Sequence, residues 1–200
     1  ILYTDERKFS PELRGALEAD GVTLRPYLQL YQDIHQIPGD SRVLVDPSKL
    51  NYAILKGIPA TVTLIEHTNP TVGPKSVKNA VECENERMAH IKDGVALTRF
   101  MKWLHDHVGK ETITEISAAE KLEQFRGEME HYLGPSFDPI MGYGPHGAII
   151  HYSATPETDA ALEPHGFLLS DTGGHYLEGS TDVTRTFVLG PLTPDMRHHY

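Results

Sequence analysis

Apolar residues recur along this chain in two rhythms. Over residues 1–66, short apolar runs alternate with amphipathic stretches. Ile1–Thr4, Val22–Leu24, Arg42–Asp46 and Ala60–Ile65 read as strands. Between them, Pro11–Ala19, Tyr27–Ile37 and Ser48–Leu55 read as helices. Ser10 can cap the first helix, Pro11 suits its first position, and Asp20-Gly21 stops it. Gly57 closes the third. The β-α-β-α-β-α-β order predicts a small, largely parallel sheet with helical crossovers.

The turn-rich Thr68–Pro74 marks a domain boundary. A long helix follows, capped by Ser76 and ended by Gly109. Its predicted core stripe is Val77, Val81, Met88, Ile91, Val95, Phe100, Leu104 and Val108, with a kink at Asp93-Gly94. A second helix opens with a Thr112-x-x-Glu115 capping box and presents Ile116, Ala119, Leu122 and Phe125. From residue 134 the pattern changes to short strands and turns. Ala148–Tyr152, Gly166–Thr172 and Asp182–Leu189 read as strands, Gly142–Gly147 as a loop and Gly173–Thr181 as a turn. Thr193-Pro194-Asp195 starts a last helix.

Composition narrows the function classes. A hydrophobic fraction of 39% over 200 residues supports a packed core and excludes wholesale disorder. Eighteen Lys and Arg against 28 Asp and Glu, net −10, argue against binding nucleic acid or an anionic membrane. No apolar run approaches the roughly 18 residues of a membrane span. One cysteine, Cys83, excludes an internal disulfide framework and fits a reducing compartment. No secretory signal pattern opens the chain. Because the first residue is Ile1, we expect a piece of something longer.

The informative stretch is Leu168–Phe187, LLSDTGGHYLEGSTDVTRTF. A hairpin centred on Tyr176-Leu177 places Asp171 directly opposite Asp182. Opposed side chains have Cβ atoms about 4.5–5.5 Å apart. At about 5 Å and an effective dielectric near 20, two carboxylates repel by roughly 3 kcal/mol, less if exposed. A divalent cation reverses the sign, and two carboxylates could share a pair of metals about 3.5–4 Å apart. Oxygen donors favour manganese, cobalt or zinc. The competing reading is a polar hairpin with two solvated, turn-flanking carboxylates. His151 ends an apolar run and reads either as an edge histidine with satisfied ring nitrogens or as a pocket imidazole that moves a proton. His198-His199 reads as surface, and His146, His165 and His175 lie in loops without metal-ligand spacing. No G-x-G-x-x-G or Walker pattern follows a strand, Ser153 lacks a nucleophile elbow, and Cys83 shows no local activation.

Three segments in order carry a family resemblance: Ile149-Ile150-His151-Tyr152, Leu168-Leu169-x-Asp171-x-Gly173-x-x-Tyr176, and Thr181–Phe187 (TDVTRTF). Together they resemble the pita-bread, creatinase-like metallopeptidases, and most closely the long Xaa-Pro aminopeptidases. The eleven-residue Asp171–Asp182 step makes the set specific and displaces the solvated-hairpin reading.

The resemblance implies an α/β fold. Residues 1–73 would be the end of a middle, creatinase N-terminal-type α/β domain. Residues 74–200 would be the first, incomplete half of a pita-bread (α+β) catalytic domain. Asp171 and Asp182 would be the first two ligands of a dinuclear centre, with manganese first and cobalt or zinc as alternatives. His151 would contact substrate near the scissile bond and help in proton transfer. The implied reaction removes the N-terminal residue from peptides with proline second, the two cations activating water and stabilising the oxyanion. A cytoplasmic location and a homodimer of the full-length protein go with it. A prolidase, a creatinase-like hydrolase and a non-catalytic peptide-binding module are the alternatives.

The family centre also needs one His and two Glu well beyond the second Asp. Only eighteen residues follow Asp182, and His198 and His199 come too early. By itself the 200-residue piece is therefore expected to be inactive, to bind metal weakly or not at all, and to expose strand edges prone to association.

Overall fold

The computed structural model describes residues 1–200 and divides into two units, Ile1–Val77 and Lys78–Tyr200.

In the first unit the order is β1 (Leu2–Thr4), α1 (Pro11–Ala19), β2 (Leu24–Pro26), α2 (Leu30–Asp33), β3 (Arg42–Val45), α3 (Tyr52–Gly57), β4 (Thr63–Glu66) and α4 (Val72–Ser76). The boundaries of α1 are those expected. Ser10 Oγ accepts from Leu13 N at 3.2 Å, Pro11 sits at the start, and Gly21 takes φ +77° after the end. The strands are parallel, but they form two separate pairs, β1–β2 and β3–β4, rather than one sheet. β2 ends in Pro26, which has no N–H to offer a further strand.

Two helices in this unit differ from expectation. Tyr27–Ile37 is not one helix. It breaks into 3-10 turns at Tyr27–Gln29 and Ile34–Gln36 around the single turn of α2, with no side-chain cap at any start. α3 is capped by Asn51, whose Oδ1 accepts from Ala53 N, because Asp46 Oδ1 draws Ser48 into a turn.

The second unit opens with α5 (Ala80–His107), continuous through Asp93-Gly94. Its cap is Asn79, not Ser76. Asn79 Oδ1 accepts from Glu82 N and Glu82 Oε2 from Asn79 N, whereas Ser76 Oγ donates to Gly73 O. α6 (Glu115–Gly127) is likewise capped later than expected, two residues on, by a reciprocal Thr114–Ser117 box rather than Thr112–Glu115. Then come β5 (Tyr132–Pro135), β6 (Ile140–Tyr143), β7 (Phe167–Thr172), β8 (Gly174–Tyr176), β9 (Val183–Val188) and α7 (Pro194–His199). β6, β7 and β9 make an antiparallel sheet with β7 central, and β5 pairs antiparallel with β8.

The core is built from Leu97, Phe100 and Leu104 of α5, Ala118 and Leu122 of α6, Met141 and Leu168 of the sheet, and Ile113 and Leu162 of the connections. The buried face of α5 is Ala89, Asp93, Ala96, Leu97, Phe100 and Leu104. The expected stripe therefore holds only in its second half: Val81, Met88, Ile91 and Val95 are exposed. The helix turns Asp93 inward because a guanidinium awaits it. Arg126 Nε donates to Asp93 Oδ1 at 2.6 Å, and both residues are buried. The same pull rotates α6, which buries Glu115, Ala118, Leu122 and Arg126.

Candidate metal centre

β7 alternates half-buried and buried positions, so Asp171 lies on the half-buried face beside Leu169 and Phe167. The register corrects the expected pairing. Asp171 faces Thr184, two residues beyond Asp182, and Thr172 faces Val183. Thr184 Oγ1 donates to Asp171 Oδ1 at 2.7 Å. Asp182 sits just before β9 and is exposed. The hairpin is not symmetric about Tyr176-Leu177 because Gly174–Tyr176 leaves the ladder to pair with β5.

Asp182 is therefore diagonal to Asp171 rather than opposite it, one residue outside the paired segment. Diagonal neighbours in such a ladder lie about 7–8 Å apart. At that distance an effective dielectric near 20 leaves roughly 2 kcal/mol of repulsion, reduced further by the exposure of Asp182.

The chain between the two acids is tightly specified. Thr181 N donates to Gly174 O at 2.9 Å and Gly174 N to Thr181 Oγ1 at 2.9 Å. Ser136 closes the base, its Oγ donating to Thr181 O at 2.8 Å and its N to Gly173 O at 3.1 Å. A Cβ on Gly173 would collide with both Thr181 O and Ser136 Oγ, so only glycine lets these strands approach.

Beneath the hairpin, Arg126 Nη2 donates to Thr172 Oγ1 at 3.0 Å, and Tyr176 OH donates to Asp93 Oδ1 at 3.2 Å. Burial first, and then the Asp93 carboxylate, push the Tyr176 phenol up, which keeps it a donor. At the tip, Glu178 Oε1 accepts from Lys92 Nζ at 2.6 Å and His131 Nδ1 at 2.7 Å. These bonds, Lys92 foremost, lower the Glu178 carboxyl to about 2.

His151 is not on a strand. Residues Gly144–Ala148 form a 3-10 turn, and Ile149–His151 continue as turn, with Ile149 and Ile150 exposed. His151 is itself exposed and takes φ +55°, uncommon for a residue with a Cβ. The backbone curls because one buried acceptor collects donors from several points along it. Glu115 carboxylate oxygens accept from Tyr143 N at 2.7 Å, His146 Nδ1 at 2.9 Å and Tyr152 OH at 2.8 Å.

Sequence reasoning missed Glu115, Asp93, Arg126 and Tyr176 as organisers. Their signal was a charged residue at a core position of a helix face, and a local capping reading absorbed Glu115.

As a donor set, Asp171 and Asp182 fit hard divalent cations, but they are two ligands only. No group of three or more His, Cys, Asp or Glu side chains in the chain comes together to hold an ion.

Residues 84–200 match the model of metallopeptidase family M24, and residues 1–82 match that of the creatinase/prolidase N-terminal domain. A probable Xaa-Pro aminopeptidase P of Arthroderma gypseum is 34% identical over 209 residues, spanning 100% of this chain and 33% of the relative. One of Aspergillus flavus is 37% identical over 203 residues, 96% of this chain and 31% of the relative. The chain thus spans about a third of these relatives' length. Among solved structures, an X-prolyl aminopeptidase of Caenorhabditis elegans, described as a cytosolic enzyme with a di-nuclear active site, superposes with TM-score 0.85 at 27% identity. That match covers 96% of this chain and 32% of the other. An Xaa-Pro dipeptidase of Bacillus anthracis shares the fold, with TM-score 0.72 at 20% identity over 92% of this chain and 51% of the other. With creatinase-type sequence leading into the start of a pita-bread catalytic domain, the chain belongs to metallopeptidase family M24.

Proposed function

We propose that these residues form part of an Xaa-Pro aminopeptidase, a hydrolase that removes the first residue of peptides with proline second. The observation that supports the reading is the β7–β9 register, which sets Asp171 opposite Thr184 and so brings Asp182, at the entry to β9, beside the strand that carries Asp171. In this reading Asp171 and Asp182 hold two divalent cations, and the remaining ligands come from outside residues 1–200. The oxygen donors favour manganese, with cobalt or zinc as substitutes. When bound, such ions supply Lewis-acid polarisation of the scissile carbonyl and lower the pKa of water.

The chain's own residues do the rest. Thr184 fixes one oxygen of Asp171 and leaves the other free to ligate. The Ser136–Gly173–Thr181 bonds hold Asp182 near the sheet. His151, on an exposed turn, reaches substrate near the scissile bond and moves a proton there. We place the domain boundary at residues 73/74. Support comes from the division after Val77 and from two family models that meet between residues 82 and 84. A cytoplasmic homodimer acting on peptides belongs to the same proposal. No helix is long and apolar enough to cross a membrane.

The test is release of the first residue from an Xaa-Pro peptide by the full-length protein with manganese. Asp182→Asn abolishes turnover and leaves the circular dichroism spectrum unchanged. Full activity in that variant removes the ligand assignment, and an inactive wild-type protein removes the aminopeptidase reading.

A further inference from the structure

Glu115 is completely buried, yet its carboxylate is surrounded by donors from one stretch of chain. Oε1 accepts from Tyr143 N at 2.7 Å and His146 Nδ1 at 2.9 Å. Oε2 accepts from Tyr152 OH at 2.8 Å and Ala160 N at 3.2 Å. A carboxylate only accepts, so His146 carries its proton on Nδ1. The His146 and Tyr152 rings lie against each other, with centroids 4.5 Å apart.

Glu115 is in turn fixed at the first residue of α6. Its own N donates to Ala160 O at 3.0 Å, Ile116 N donates to Asp159 Oδ1 at 2.9 Å, and Leu162 N donates to Ile113 O at 2.7 Å. The helix start and residues 159–162 form a hydrogen-bonded base, and Glu115 reaches from it to both flanks of the turn that ends in His151. Within the turn only short-range backbone bonds act, Ile149 N to His146 O at 3.1 Å and Tyr152 N to Ile149 O at 3.2 Å, while Ile149, Ile150 and His151 are exposed and His151 sits in the left-handed region. Backbone strain of this kind persists where surrounding structure over-determines it.

We propose that Glu115, acting through His146 and Tyr152, is the positioning residue that sets the His151 turn for substrate contact. The inference rests on the reading of His151 given above. It adds that the imidazole's placement is dictated by a carboxylate that never touches substrate. Displacement of a contacting group by about 1 Å can cost about 100-fold in rate.

The experiment uses the full-length protein with manganese and an Xaa-Pro peptide. Glu115→Gln turns one acceptor into a donor facing donors, and kcat should fall about 10- to 100-fold. Tyr152→Phe removes one donor without adding a clash; it should fall less, and it serves if Glu115→Gln does not fold. The decisive readout is the cycle with His151→Ala. If Glu115 acts through His151, the Gln substitution costs little further in the His151→Ala background. Equal loss in both backgrounds shows a general structural role and overturns the proposal. Hydrogen exchange gives a readout independent of turnover: Glu115→Gln or Tyr152→Phe should speed exchange in residues 144–152 and leave α5 unchanged. Unchanged exchange at 144–152 also overturns it. If the wild-type protein releases no residue, the aminopeptidase reading fails, and the exchange measurement still decides the role of Glu115.

Discussion

The two units of this chain invest their polar groups differently. In Ile1–Val77 the ion pairs Arg7–Asp5 and Arg14–Glu6 are solvated, Arg25–Asp33 joins a half-exposed guanidinium to a part-buried carboxylate, and the buried hydrophobic residues are Val45 and Val62. In Lys78–Tyr200 a larger apolar cluster surrounds an ion pair at 2% and 1% exposure, Arg126–Asp93, and a fully buried carboxylate, Glu115. Solvated charges cost little to hold and contribute little. Buried charges are expensive unless every partner is present, so they dictate which backbone arrangements are allowed. The second unit thus has its hairpin and its His151 turn specified by a few fully buried acceptors, whereas the first rests on local capping, parallel pairing and one part-buried acceptor, Asp33, which accepts from Tyr3, Arg25 and Gln29.

The sharpest way to break the contrast is at Arg126. Arg126→Ala leaves Asp93 charged and unpaired in the core, and denaturant unfolding should report a loss of about 3–5 kcal/mol. Arg14→Ala in the first unit should change stability by about 0–1 kcal/mol. Equal effects at the two sites would erase the distinction. Next comes Gly173→Ala, where backbone at Thr181 must move to admit the methyl group. Overpacking of this kind costs about 1–3 kcal/mol and should lower Tm. Helix capping, by contrast, should not distinguish the units: Ser10→Ala and Thr114→Ala should each cost about 1 kcal/mol.

The smallest effect is a pH dependence contributed by one carboxyl of the second unit. The Glu178 carboxyl is lowered from 4.5 to about 2 by Lys92 first and then His131. Its folded pKa lies below its unfolded one, so its contribution is complete above about pH 4.5 and disappears as pH falls towards 2. Unfolding followed across that window should show this loss in wild type and less of it in Glu178→Gln.

What could be read from the residues follows the same division. α1 was legible to the residue because Ser10, Pro11 and Gly21 act on their own neighbours. β7, β9 and the start of α7 were legible from alternation and a Thr193 cap. The strand expected at Ala148–Tyr152 was wrong because its apolar run is exposed, and Glu115, 28 or more residues earlier, dictates the turn. The register at Asp171 slipped by two because β8 leaves to pair with β5, a choice no hairpin symmetry contains. Val81, Met88, Ile91 and Val95 kept helical spacing, but an inward Asp93 decides which face is buried. Long-range polar pairing leaves no periodicity, so the residues that organise the candidate site were the least visible.

Manganese titration by calorimetry on the full-length protein, wild type against Asp171→Asn and Asp182→Asn, examines the placement of these two acids most directly. Two equivalents bound by the wild type, with one or both lost in each variant while the fold persists, is the expected result. Unaltered stoichiometry and affinity in both variants would show that these carboxylates hold no metal.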